Sequence, residues 1–175
     1  MSLLLQITKF QAILNFWFHF LIKIMLEFFI NFFERNHKMV AEFNGVLYLI
    51  LYILMVAGFL MYTYQTLFTT VDWLTKYGIH ESAVLPTRVL GTFVAAVSLL
   101  GIYFLFAGLG GAWVYLAYIF IQACILVVAG YITVTSSNAA TLEGVKYTAE
   151  AYVSPLFFAI VSAILIYGLS DKIYT

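Results

Sequence analysis

The sequence predicts an all-α protein, an integral membrane four-helix bundle with an extra amphipathic helix at its N-terminus. Three observations carry that expectation. The 175 residues are 65% hydrophobic and 9% charged, whereas a soluble domain usually carries about 25% charged residues. Mean hydropathy is +1.03. From Val89 to Leu142 the chain runs 54 residues without Asp, Glu, Lys or Arg, interrupted only by the cluster Gly108, Gly110 and Gly111. One transmembrane helix needs about 20 apolar residues to cross roughly 30 Å of hydrocarbon, so this run holds two spans and a turn.

Charge and cysteine narrow the function classes. Eight basic residues balance eight acidic ones, which leaves no electrostatic footprint for nucleic acid and no polybasic anchor. Cys124 is the single cysteine and falls inside an expected span. It can form no internal disulfide or cysteine metal cluster and reads as a small apolar core residue.

Residues 1–38 differ from the rest. They contain no Gly, Val, Tyr, Pro or Asp, and Phe, Ile, Asn and Lys make up half of them. Two readings stand: a distinct structural element, or translated sequence upstream of a start at Met39. Within this segment Gln11, Asn15, His19, Lys23, Glu27, Asn31 and Arg35 recur every four residues. On a helix that spacing makes a polar stripe drifting about 40° per step. His19, Lys23 and Glu27 could form an intramembrane relay. A helix lying in the interface, with its polar stripe toward water and its aromatic face toward acyl chains, is preferred. Charges near the centre of a span cost about 2.5 to 3.5 kcal/mol each, and Lys23 before Glu27 is the weaker order for a pair four apart. The apolar run is broken and has no small-residue cleavage site, which argues against a secretory signal.

After Met39 four spans are expected, at about residues 44–66, 87–107, 112–134 and 153–169. Pro86 opens the second; Ser154 and Pro155 open the fourth, with the serine as cap. The glycine cluster closes the second and third spans into a hairpin. Up-and-down threading then gathers the other two connections on the opposite side. The first of these reads as a short interfacial helix capped by Thr70, supported by an Asp72–Lys76 pair and ended by Gly78. The second carries Ser136, Ser137, Asn138, Glu143, Lys146 and Glu150.

Any chemistry should converge on that face, where His80, Glu81 and Arg88 form a candidate headgroup-level cluster beside Asp72, Glu143 and Glu150. Adjacent His80 and Glu81 point apart on a helix or strand, so ordinary interfacial residues are preferred to a catalytic or metal set. Arg88, close to the start of its span, snorkels to phosphate or pairs with Glu81 or Asp72. Inside the spans the polar residues include Thr92, Ser98, Gln122, Thr133 and Ser162, with no acid or base at depth, which argues against ion-coupled transport. Gln122 is the strongest of these groups and suits a hydrogen bond between helices. Small residues Gly91, Ala95 and Ser98 on the second span, and Ala159, Ser162 and Ala163 on the fourth, allow close packing.

The second and fourth spans also match at an offset of 64: Phe93, Ala95, Val97, Ser98, Ile102 and Tyr103 recur as Phe157, Ala159, Val161, Ser162, Ile166 and Tyr167. Such a match fits a duplicated hairpin with Ser98 and Ser162 as equivalents. Counted from Met39, Lys76, Arg88 and Lys146 place the longer connections on the cytoplasmic or equivalent side, against Lys172 alone on the other. Including Arg35 and Lys38 evens the count at three each. Most tyrosines and tryptophans fall near span ends, as in aromatic belts.

A long first span, a helical connection through Trp73 to Ile79, the segment Arg88-Val-Leu-Gly91 opening the second span and a compact glycine turn together resemble the small four-span membrane proteins of the DoxX-like group. The resemblance covers about residues 43–169 and implies a four-helix membrane fold. Some members of that group serve as membrane subunits of quinone-linked oxidoreductases, and many have no assigned activity. It transfers no catalytic residue.

The function expected is that of a non-catalytic accessory or structural membrane protein, multi-pass, a subunit packing against lipids and other membrane proteins or against itself. It would need no cofactor and no metal. The alternative is a passive carrier or channel for a small neutral or lipid-like molecule lined by Ser98, Gln122 and Ser162. An enzyme acting through His80, Glu81 and Arg88 ranks behind both.

Overall fold

The computed structural model describes residues 37–135, 144–145 and 147–175. The stripe of the expected N-terminal helix, Gln11 to Arg35, lies outside them, as do Ser136, Ser137, Asn138, Glu143 and Lys146. The chain divides into two units, residues 1–41 and 42–175, and all four long helices belong to the second.

The described residues are helical throughout, without strands. A short helix, α1 (His37–Glu42), precedes the first long helix, α2 (Val46–Leu67). Next come α3 (Thr70–Lys76), a 3-10 turn at Glu81–Ala83, α4 (Val84–Ala107), α5 (Trp113–Thr135), α6 (Glu150–Gly168) and the terminal turn α7 (Ser170–Ile173). Four of these helices, α2, α4 with its leading turn, α5 and α6, are long and apolar enough to cross a membrane. Without that turn, each of the four helices begins and ends within three residues of its expected bounds.

The two proline-marked starts differ from expectation. Helix α4 begins at Val84, so Pro86 is its third residue, where the missing N–H is one of the four that lack an intrahelical acceptor anyway. Helix α6 begins at Glu150, before Ser154, so Ser154 is not its cap and Pro155 lies inside the helix. Pro155 cannot donate to the carbonyl of Ala151. Gly130 of α5 packs against that carbonyl, so close that a Cβ there would collide with the Ala151 oxygen.

Packing does not follow the tightest turn. The glycine turn is compact, with Gly108 and Gly111 at positive φ, but the expected hairpin it closes is not the packed one. Extended contact joins α2 to α4, α5 to α6 and α2 to α6, and α4 and α5 lack such an interface. Near the turn Phe104 and Tyr115 meet at 5.5 Å between ring centroids. Tyr115 is buried with its hydroxyl against Gly101 of α4, where a Cβ would lie 2.4 Å from it. The bundle is thus two packed hairpins, α2/α4 and α5/α6, joined along α2 and α6. The burial pattern of residues 92–104 repeats at 156–168 in every position but one, Ala95 being half-buried where Ala159 is buried.

Glycines mark the crossings. A Cβ on Gly58 would lie 2.7 Å from the Phe158 ring, and one on Gly91 would lie 2.6 Å from Thr66 Oγ1. Gly168 sits directly against the Tyr48 ring. Small residues let helix backbones approach where no hydrophobic effect drives association, which is how apolar helices pack in lipid. At this end Asn44, in the left-handed region at φ 51°, donates through Nδ2 to the Gly168 carbonyl at 3.0 Å and to Asp171.

Candidate functional site at the α3 end

The first connection is built by hydroxyl groups at the end of α2. The last carbonyls of a helix lack intrahelical donors, and here the Thr69 hydroxyl reaches Gln65 O at 3.4 Å and the Thr70 hydroxyl reaches Thr66 O at 2.6 Å. Thr70 is therefore not the cap of α3. Thr69 holds that position without a side-chain cap bond, and Thr70 is buried inside the first turn, facing back toward α2. The end of α3 does follow expectation. Gly78 takes a positive φ of 68°, with Ile79 N–H donating to Leu74 O and Gly78 N–H to Thr75 O, the paired bonds of a glycine-terminated helix.

The expected Asp72–Lys76 pair does not form. Lys76 reaches across to Glu150 at the start of α6, Nζ to Oε2 at 3.2 Å. The Tyr77 hydroxyl donates to the same oxygen at 2.6 Å, and the lysine lies 4.9 Å from the Tyr77 ring centroid. One carboxylate oxygen thus collects two donors and ties the connection to the second hairpin, which a pair within α3 could not do. Partial burial pulls the Lys76 ammonium down, but the Tyr77 hydroxyl and Glu150 outweigh it and hold it above the usual lysine value. Burial and the bond to Glu150 push the Tyr77 phenol up against the opposing lysine. Tyr62, Trp73 and Tyr77 form an edge-to-face chain beneath this network, at 5.8 and 5.3 Å.

His80, Glu81 and Arg88 take separate roles. His80 Nδ1 accepts the Ser82 N–H at 3.1 Å and caps the 3-10 turn, so that ring nitrogen is occupied locally. Glu81 is exposed. Arg88 is also exposed, and its Nε donates to Thr70 Oγ1 at 3.3 Å. No ion pair links Arg88 to Glu81 or Asp72 among the described residues. No group of three His, Cys, Asp or Glu side chains is placed to hold a metal ion among them either.

The three residues of the proposed polar lining are likewise dispersed. Ser98 is buried between α4 and α2, bonded to Val94 O at 2.9 Å and sharing a hydrogen bond with Thr63 Oγ1 at 3.1 Å. Ser162 is buried in α6 and donates to its own helix, with Phe158 O at 2.7 Å and Ala159 O at 3.1 Å. Gln122, half-buried on α5, makes no hydrogen bond with either serine. The offset-64 pairing of Ser98 with Ser162 holds for burial and for their backbone bonds, and only Ser98 reaches another helix.

One polar element escaped the sequence reading. Tyr52, buried in α2, donates its hydroxyl to Gly101 O of α4 at 3.0 Å. Its ring lies 6.5 Å from that of Tyr115, whose hydroxyl is buried without a hydrogen-bond partner among the described residues. An expected place in an aromatic belt hid this role, since Tyr52 lies two turns inside the span. That depth was the available signal.

Comparison with protein-family models, with curated proteins and with solved structures finds no match for this chain.

Proposed function

We propose that the protein is a multi-pass integral membrane protein with an accessory or structural role, a non-catalytic subunit that packs against other membrane proteins. The observation that carries this reading is α5. It buries the smallest share of its apolar window, 11% against 28% for α2, and among the described residues its one extended helix contact is with α6. Val114, Tyr118, Ile121, Ile125, Val128 and Ile132, spaced by alternating steps of four and three, form one exposed stripe on it. Four-three spacing is the seam of helix-on-helix packing, and β-branched side chains have little χ1 freedom to lose when a partner docks. The likeness to the DoxX-like group, some of whose members are membrane subunits, points the same way.

Extraction in a mild detergent, followed by measurement of the mass and composition of what migrates with the chain, tests the proposal. A stoichiometric complex that Ile125→Trp disrupts is the expected result. A lone monomer overturns the subunit role and moves the carrier reading forward. Gln122→Leu then separates the two: lost flux with unchanged stability marks a passage, and lost assembly marks a helix contact.

A further inference from the structure

We propose that Arg88, positioned by Thr70, binds the phosphate of an anionic phospholipid in the leaflet at the α3 end of the bundle. The inference rests on the membrane-spanning reading of the chain and is independent of the subunit role. Arg88 is the fifth residue of α4, about 6 Å along the helix axis from its start, the depth from which an arginine reaches headgroups. Its neighbours Leu85, Val89 and Leu90 are exposed, so the guanidinium stands on a surface that faces acyl chains.

Two features make it a binding group and not a generic surface charge. The other cationic side chains with described surroundings, Lys76 and Lys172, lie beside carboxylates, while Arg88 has none within pairing distance among the described residues. Its polar partner is Thr70, whose hydroxyl proton is directed to Thr66 O. The Thr70 oxygen therefore presents lone pairs to Arg88 Nε. Thr70 is buried, which fixes the edge of the guanidinium through Nε. The four N–H groups on the two terminal nitrogens remain, in a planar fork that donates to two phosphate oxygens at once. An uncompensated positive charge favours a lipid of net negative charge over a zwitterionic one, and the Tyr62–Trp73 pair at the same end is of the residue types that settle at headgroup level.

Native mass spectrometry of the detergent-purified full chain, with phosphatidylglycerol or phosphatidylcholine added, reads the site directly. Wild type is expected to retain one phosphatidylglycerol per chain in preference to phosphatidylcholine. Arg88→Met lowers that occupancy about tenfold, and Thr70→Val, which keeps the cation and removes its anchor, lowers it about threefold. Arg88→Lys retains charge without the fork and falls between wild type and Arg88→Met; with Thr70→Val it carries the test if Arg88→Met fails to fold. Lys76→Met leaves occupancy unchanged. Full retention by Arg88→Met or by both other variants overturns the proposal, as does equal retention of the two lipids by wild type. Arg88-dependent binding of inorganic phosphate without lipid retention assigns the site to free phosphate and overturns the lipid assignment. Alkaline washing of the membranes separates the levels: a chain that washes off overturns the membrane reading and this proposal, and one that stays but migrates alone overturns only the subunit role.

Discussion

The two packed hairpins are held by different chemistry. Between α2 and α4, polar groups join the helices: Tyr52 to Gly101 O, Thr63 with Ser98, and, through Thr70, the end of α2 to Arg88. Between α5 and α6 no side-chain hydrogen bond crosses among the described residues. Gly130 instead lets the α5 backbone reach the Ala151 carbonyl, and Tyr131 packs edge-on against Tyr152 at 5.7 Å. Hydrogen bonds between apolar helices contribute about 0.6 kcal/mol each on average, so a close backbone fit can hold a hairpin as well as a few hydroxyls can. The difference teaches that equivalent burial at residues 92–104 and 156–168 does not require equivalent bonding.

The sharpest break in this comparison is Gly130→Ala. Its new methyl group would collide with backbone, which cannot rotate aside, and should destabilise the second hairpin by about 2 to 3 kcal/mol, at the upper end of overpacking costs. Gly91→Ala meets the side chains of Thr66 and Leu67 and should cost about 1 kcal/mol. Thermal melts in detergent rank the two; equal melting temperatures for Gly130→Ala and wild type would refute the backbone contact as the support of α5/α6.

A smaller loss is expected in the first hairpin. Tyr52→Phe removes the bond to Gly101 O and should lower stability by about 1 kcal/mol. The comparison sharpens with the paired serines, since Ser98→Ala loses a bond to another helix and should cost about 0.6 kcal/mol, while Ser162→Ala should be nearly neutral. Equal losses from both serines would contradict the asymmetry between the hairpins.

The weakest effect belongs to Lys76, which links the connection to α6. Both partners of the ion pair are 59% exposed, so Lys76→Met should cost less than about 1 kcal/mol. Because folding raises the lysine above its ordinary value of 10.5, the contribution is complete below that value and fades as pH climbs through the folded one. Melting wild type and Lys76→Met between pH 8 and pH 11 should show the gap closing only at the alkaline end. A gap that widens there would reverse the sign.

Much of the architecture was legible because lipid imposes a simple constraint: each span must be long, apolar and internally hydrogen-bonded. That constraint located α2, α4, α5 and α6, and turn chemistry located α3 and its end at Gly78. Proline misleads at the start of α6: the Ser154–Pro155 pair suits a helix start, yet Pro155 lies within a helix whose freed Ala151 carbonyl is covered by Gly130. The candidate site was legible only as a set of residues. Sequence placed His80, Glu81 and Arg88 at one end of the bundle, but a cap bond, open exposure and a threonine anchor divided them.

The chain by itself determined its class, the number and position of its long helices and the pairing of α4 with α6 as similar segments, because these depend on hydropathy, length and local composition. Only the tertiary structure decided which helices pack, that Lys76 joins Glu150 and not Asp72, and that Tyr52 reaches Gly101. Those contacts join residues far apart in sequence through backbone approaches of a few ångströms. Several partners of similar chemistry were available for each, and the geometry of the crossings selected among them.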